Sequence, residues 1–204
     1  MTRFLYLVRH GDASPHDGPL SEIGREQARL AGQRLREVPL ALIQHGALPR
    51  AAQTAAIIAE GFPGVPVSAS ALAGDYIPSD PDPADLPARF APLVDSYSAA
   101  ERAEGARLAG AAIEQFLRAG ADGRDTHELI VTHNFLIGRL VSHALGGPSW
   151  RWLGLNQMNA ALSVIACPPA SPPELISFND AAHLPPALRW TGFPAVADAP
   201  AWLT

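Results

Sequence analysis

The chain has 204 residues, 48% of them hydrophobic, with 15 basic and 20 acidic side chains and a formal charge of −5. That length and apolar content suit one domain around one core, spanning 1–204; the acidic balance, without any arginine cluster, argues against a nucleic-acid partner, which would need a basic stripe. All fifteen basic residues are arginine, which excludes a P-loop lysine, a kinase strand lysine and a pyridoxal Schiff base.

In chain order, the apolar run Phe4 to Val8 reads as a buried strand. It delivers Arg9-His10-Gly11 at its carboxyl end, where open α/β sheets place their ligands. Ser21 to Val38 is predicted as a helix through the spacing of Ile23, Leu30, Ala31, Leu35 and Val38, with Ser21 as N-cap and Pro39 as its stop. Leu40 to Gln44 is a short predicted strand, Arg50 to Glu60 a helix patterned by Ala51, Ala55, Ile58 and Ala59, and Val65 to Ser68 another strand. Residues 72–98 break the rhythm. There Pro78, Pro81, Pro83, Pro87 and Pro92 interleave with Asp75, Asp80, Asp82 and Asp85, so a loop or lid insertion is expected. Ala99 to Arg118 is a predicted long helix. Glu128 to Thr132 forms a second strand-like run, handing on His133-Asn134 directly before a helix from Phe135 to Leu145, which Gly146-Gly147-Pro148 closes. Ala160 to Cys167 and Glu174 to Phe178 are the last strands. Alternating helices and buried strands predict a three-layer α/β/α sandwich with a mostly parallel central sheet.

Two strand ends, each delivering a histidine and one of them an arginine, point to a single anion site. Cys167 is the only cysteine, which rules out an internal disulfide and makes a small core residue the simplest reading; a reducing cytoplasm is the expected location. The N-terminal apolar run is too short for a signal peptide, and no stretch approaches a membrane span, so a soluble chain without membrane contact is expected. No histidine pair has zincin spacing, so no metal is expected. His16, His45, His127, His143 and His183 are read as structural or exposed, with His16 and His45 as candidate rim residues. Trp150, Trp152, Trp190 and Trp202 are read as core cover, with packing in a homodimer as the alternative for the last two.

Four segments carry a family resemblance: LVRHG at 7–11, LSEIGREQA at 20–28, PRAAQTA at 49–55 and VTHN at 131–134. In this order they resemble the histidine phosphatase superfamily, also called phosphoglycerate mutase-like. Residues 70–186 are similar to its mitochondrial Ser/Thr protein phosphatase branch, through DYIPSDPDP, EGARL, WRWLGLNQMNAALSVI and NDAAHLPP.

The resemblance implies a phosphoglycerate mutase-like fold and a metal-independent phosphomonoesterase that needs no cofactor and works through a phosphohistidine. Its substrate would be a phosphoserine or phosphothreonine protein, or a small organic phosphate. By the same resemblance His10 is the nucleophile, and His133 donates to a phosphate oxygen. Arginine's planar fork binds phosphate oxygens in pairs and stays charged, so Arg9 and Arg50 are expected as permanent clamps; their charges are expected to keep His10 neutral. Asn134, opening a helix, is expected to add a backbone N–H. Asp75 is the candidate general acid and base, one methylene shorter than the glutamate of the resembled branch, with Asp80 in reserve. Gly46-Ala47-Leu48-Pro49 precedes Arg50 where the family usually has a serine, so one phosphate hydrogen bond is expected to be lost. Two rival readings stay open. A mutase-type phosphotransferase would need further cations for a substrate carboxylate, for which the lid offers Arg89 and Arg102; a catalytically silent phospho-ligand binding module would keep only the fold.

Overall fold

A computed structural model describes residues 1–14, 18–120 and 123–189. Six strands form one sheet: β1 (Arg3–Arg9), β2 (Leu42–His45), β3 (Val67–Ala69), β4 (Thr126–Thr132), β5 (Leu162–Cys167) and β6 (Glu174–Asp180), in the order β3-β2-β4-β1-β5-β6. β1 to β4 pair in parallel, and β5 runs antiparallel to both neighbours. Both central strands, β1 and β4, are apolar on both faces, as strands covered by helices on either side must be.

The helices divide between those faces. On one, α1 (Glu22–Leu35) and α2 (Pro49–Ala59) set Ala31, Leu35, Ala51, Ala55 and Ile58 against Val8, Ile43, Leu129 and Val131. On the other, α4 (Ala99–Phe116) and α5 (Asn134–Ala144) set Ala112, Phe116, Leu136, Ile137 and Leu140 against Leu5, Leu7 and Ile130. The result is a three-layer α/β/α sandwich. Two helix starts are chemically marked: the Ser21 hydroxyl accepts from the Gly24 N–H, and Ser98 with Glu101 forms a capping box.

Three expectations need correction. Ile23 lies on the solvent side of α1, 43% exposed, and the helix stops at Leu35 because a turn closed by Val38 N–H to Leu35 C=O ends it before Pro39. Helix and strand ends elsewhere shift by at most two residues, as fraying termini do. Residues 72–98 are not a bare loop: they carry a 3₁₀ turn at Ala88–Phe90 and a short helix, α3 (Ala91–Asp95). Ile77 and Val94 bury with Trp152 and Leu153 in a cluster of their own. Gly105 makes this docking close, since a Cβ there would stand 1.9 Å from the Ile77 carbonyl oxygen.

Candidate active site

The carboxyl ends of β1 and β4 lie side by side, with Arg9 opposite Thr132 in the parallel register. One residue further on, the His10 N–H donates to the Thr132 carbonyl (2.9 Å), and the His10 and His133 rings stand 5.0 Å apart, centroid to centroid. β2 ends just beside them, and Gly46, the residue after it, donates its N–H to the Val131 carbonyl (3.0 Å). A Cβ on Gly46 would meet the Ala73 carbonyl oxygen at 2.4 Å and His133 Nε2 at 3.0 Å. Glycine is therefore what lets β2 close against the second histidine.

Arg50 comes from the first turn of α2, after Leu48 as N-cap and Pro49. A cation is out of place at a helix's positive end unless an anion meets it there. Its helix is tied to the β1 end by Thr54, whose hydroxyl donates to the Arg50 carbonyl (2.7 Å) and accepts from the Gly11 N–H (3.0 Å). Arg9, His10, Arg50 and His133 are all buried, at 5%, 6%, 1% and 1% exposure. Arg9 feels both Arg50 and Asp75, and burial brings its guanidinium down to about 10, still charged at neutral pH.

The hydrogen bonds determine the His10 tautomer. Nδ1 lies 2.8 Å from the Gly11 carbonyl oxygen, which can only accept, so Nδ1 carries the proton. Nε2 lies 3.2 Å from Arg50 Nε, which can only donate, so Nε2 presents its lone pair. His10 is held well below the ordinary histidine value by burial first, then by His133 and Arg9, with a smaller push from Arg50. The two guanidinium groups thus play a lesser part than the sequence suggested; loss of water is the main reason the ring stays neutral.

Asp75 reaches this cluster from the opposite side. Its Oδ2 lies 2.7 Å from an Arg50 terminal nitrogen and 3.5 Å from His133 Nδ1. The preceding 3₁₀ turn, Ala71–Ala73, is fastened to β4 by the Thr132 hydroxyl, which donates to the Ala73 carbonyl (2.8 Å). Asp80, the reserve candidate, is drawn elsewhere: its Oδ1 accepts from Arg102 Nε at 2.7 Å. The structure thus brings Arg9, His10, Arg50, His133 and Asp75 together and turns Asp80 toward the far side of the 72–98 segment.

Asn134 opens α5 as expected, but its side chain is engaged, with Oδ1 accepting from the Gln157 N–H (2.8 Å). Thr54, Gln157 and Asn159 were missed as parts of the site. Gln157 offers its carbonyl to the Arg9 guanidinium (2.7 Å), and the Asn159 amide donates to the His10 carbonyl (2.9 Å). Their signal was polar side chains in the otherwise apolar stretch 152–162. Of the other histidines, His45 bonds the Gly46 carbonyl, His127 stacks on Phe4, His183 bonds the Ala160 carbonyl and His143 is exposed. His16, Trp190 and Trp202 lie outside the described residues. Trp152 and Cys167 are core residues, and burial pushes the Cys167 thiol up to about 11.

A family model described as Histidine phosphatase superfamily (branch 1) matches residues 5–73. The mitochondrial serine/threonine-protein phosphatase PGAM5 of Mus musculus is 31% identical over 193 residues, covering 91% of this chain and 65% of that protein; the Homo sapiens protein gives the same figures. The chain thus spans a little under two thirds of the length of these curated relatives. Among solved structures, a mycobacterial glucosyl-3-phosphoglycerate phosphatase is 25% identical with a TM-score of 0.64, covering 89% of this chain and all of that one. The phosphoglycerate mutase of Plasmodium falciparum, 20% identical with a TM-score of 0.63 over 91% of this chain and 95% of its own, shares the fold. The expected cytoplasmic location is overturned, because relatives matching nine tenths of the chain are named mitochondrial. One buried cysteine is compatible with more than one reducing compartment and could not discriminate. No described helix is long and apolar enough to cross a membrane.

Proposed function

We propose that this chain is a histidine phosphatase and hydrolyses phosphomonoesters through a phosphohistidine formed on His10. The observation that carries the reading is the His10 Nε2 lone pair, aimed at Arg50 within a cluster that also holds Arg9, His133 and Asp75. Two buried guanidinium groups against the one carboxylate bonded to Arg50 make the cluster electropositive, which favours an anion. Phosphoryl transfer asks mainly for that, since the moving group spreads charge over its equatorial oxygens and little covalent chemistry falls to the protein.

In the first half-reaction the substrate phosphate takes over the Arg50 N–H groups, and Nε2 bonds to phosphorus as the ester P–O bond breaks. Asp75 gives its proton to the leaving oxygen. In the second, Asp75 takes a proton from water, the water oxygen bonds to phosphorus, and the P–N bond breaks to release inorganic phosphate and neutral His10. His133 and the Asn134 backbone N–H donate to the phosphate oxygens in both steps. Fixed guanidinium charge takes the place of a metal ion in this scheme. The whole chain acts as one domain, in which residues 72–98 form a lid that carries Asp75 over the clamp.

Phosphoserine or phosphothreonine protein is the substrate class that the mouse relative's name supports; a small organic phosphate is the class that the mycobacterial structure's name supports. Hydrolysis is favoured over mutase transfer by the state of the lid arginines. Arg102 is held by Asp80 and the Tyr97 carbonyl, and Arg89 lies over the Phe90 ring, so both are engaged within the lid. The test is hydrolysis of an aryl phosphate in the presence of a chelator. Wild type is expected to release phosphate, and His10→Ala to lose about 10⁴-fold or more, as when a nucleophile is removed; full activity in that variant would refute the reading. Comparing kcat/KM for phosphopeptides and sugar phosphates assigns the substrate class.

A further inference from the structure

We propose that Asn159 is a positioning residue that holds the main chain of His10, and so aims its Nε2, from outside the reacting atoms. The proposal rests on the phosphatase reading above. β1 needs such a support because its ladder with β5 ends at Val8 opposite Leu162. Beyond that point Arg9 and His10 are held on the β4 side, where the His10 N–H meets the Thr132 carbonyl. Their own carbonyls, facing the other way into a dry site, have no strand to accept from.

A turn at 157–160 supplies the missing donors. The Ala160 N–H donates to the Arg9 carbonyl at 2.9 Å, and Asn159 Nδ2 donates to the His10 carbonyl at 2.9 Å. The same turn reaches the first guanidinium, because Arg9 donates to the Gln157 carbonyl at 2.7 Å. It also reaches the β4 end, because the Gln157 N–H donates to Asn134 Oδ1 at 2.8 Å. One turn therefore touches both halves of the site, the Arg9-His10 pair and the start of α5.

The turn is itself rigid and costly to form. Ala160 sits at φ +55°, a left-handed conformation unfavourable for a residue with a Cβ. It is kept there by its N–H, shared between the Arg9 carbonyl (2.9 Å) and the His10 carbonyl (3.4 Å), and by His183, whose Nε2 lies 3.1 Å from the Ala160 carbonyl oxygen. The Gln157 side chain is clamped between the Ser163 hydroxyl and the Ala161 carbonyl, both at 2.7 Å. Asn159 and Gln157 are fully buried, at 1% and 0% exposure. A left-handed residue and a buried amide that both serve the Arg9 and His10 carbonyls exceed what packing alone requires of a turn. They fit a support that fixes a nucleophile to a fraction of an ångström, where a misplacement of about 1 Å costs on the order of 10²-fold in rate.

Asn159→Ala removes the shorter of the two hydrogen bonds on the His10 carbonyl, leaving the Ala160 N–H at 3.4 Å, and keeps Arg9, Arg50 and both imidazoles. Its kcat for an aryl phosphate is expected to fall about 10- to 100-fold, while inorganic phosphate, measured by calorimetry, binds within about 3-fold of wild type, on the same order as a neutral hydrogen bond's modest net worth. Ser142→Ala, which deletes an equally buried α5 hydroxyl that donates to the Pro148 carbonyl, serves as control and should keep kcat. If Asn159→Ala melts below the assay temperature, Asn159→Ser is measured at a temperature where its ellipticity matches wild type. An unchanged kcat in the folded variant, or kcat and phosphate affinity falling together with the folded fraction, overturns the proposal. Wild type that turns over no phosphomonoester defeats the phosphatase reading instead, so the two failures are distinct.

Discussion

Two acid-and-base regions of this molecule follow opposite designs. At the ends of β1 and β4, Arg9, His10, Arg50 and His133 are packed almost dry, Arg9 and His10 held by backbone carbonyls and Arg50 by His10. In the 72–98 segment the carboxylates of Asp80, Asp82 and Asp95 line an open recess of about 550 Å³ beside Arg102. Asp75 belongs to the second region by sequence and to the first by contact, its side chain still 34% exposed while bonded to the fully buried Arg50. The difference teaches where each kind of chemistry belongs: an electrostatic clamp gains from exclusion of water, whereas a group that must exchange protons with a leaving group and then with water needs access to solvent.

The comparison is broken most strongly at the residue that joins the two regions. Asp75→Asn keeps the shape and removes the proton, so kcat/KM, which reports the first half-reaction, should fall about 10²- to 10⁴-fold with alkyl phosphates, and far less with a nitrophenyl leaving group that departs unaided. Steady-state kinetics on both substrates checks this; equal losses would assign the proton to another residue. Within the dry region, Gly46→Ala drives a methyl group against the Ala73 carbonyl and His133. Overpacking of this kind costs about 1–3 kcal/mol, so thermal unfolding should come at a lower temperature and activity should drop with the displaced imidazole, whereas Ala47→Gly should leave the activity nearly intact.

The dry region also imposes a pH dependence. His10 is held below its ordinary value, so between that lowered value and about 6.5 the unfolded chain binds a proton that the folded chain refuses. Its contribution to stability is full above about pH 6.5 and is lost as the pH falls through this window. Replacing His10 with Gln should make the decline of Tm between pH 7 and pH 5 shallower; an unaltered slope would mean the ring is solvated. The smallest effect belongs to the open region. Asp80→Asn cuts a partly exposed ion pair with Arg102, worth about 0–1 kcal/mol, and should change kcat by less than about 2-fold. A loss on the scale of Asp75→Asn would show that the acid role was placed on the wrong carboxylate.

Much of this arrangement was legible in the sequence because β1 and β4 are covered on both faces, so their apolar runs stand out and their last residues must emerge at the site. Arg9, His10 and His133 follow directly from that. Arg50 and Asp75 were reached through motif order, since their meeting depends on α2 and a 3₁₀ turn folding back from distant points in the chain. The order within 72–98 was hidden because Ile77 and Val94 find their partners on Trp152, far away along the chain. Asn159 and Gln157 look like ordinary loop amides until the end of the β1–β5 ladder exposes the carbonyls they serve. Gly46 read as a lost serine; its meaning, a close approach to His133, is purely three-dimensional.

The central claim is that neutral His10 is the phosphoryl acceptor. Rapid acid-free quenching of the enzyme with a ³²P-labelled aryl phosphate should give a protein-bound label, stable to base and labile to acid, on the peptide containing His10 and absent from His10→Ala. Label on a different residue, or undiminished turnover by His10→Ala, would contradict the account.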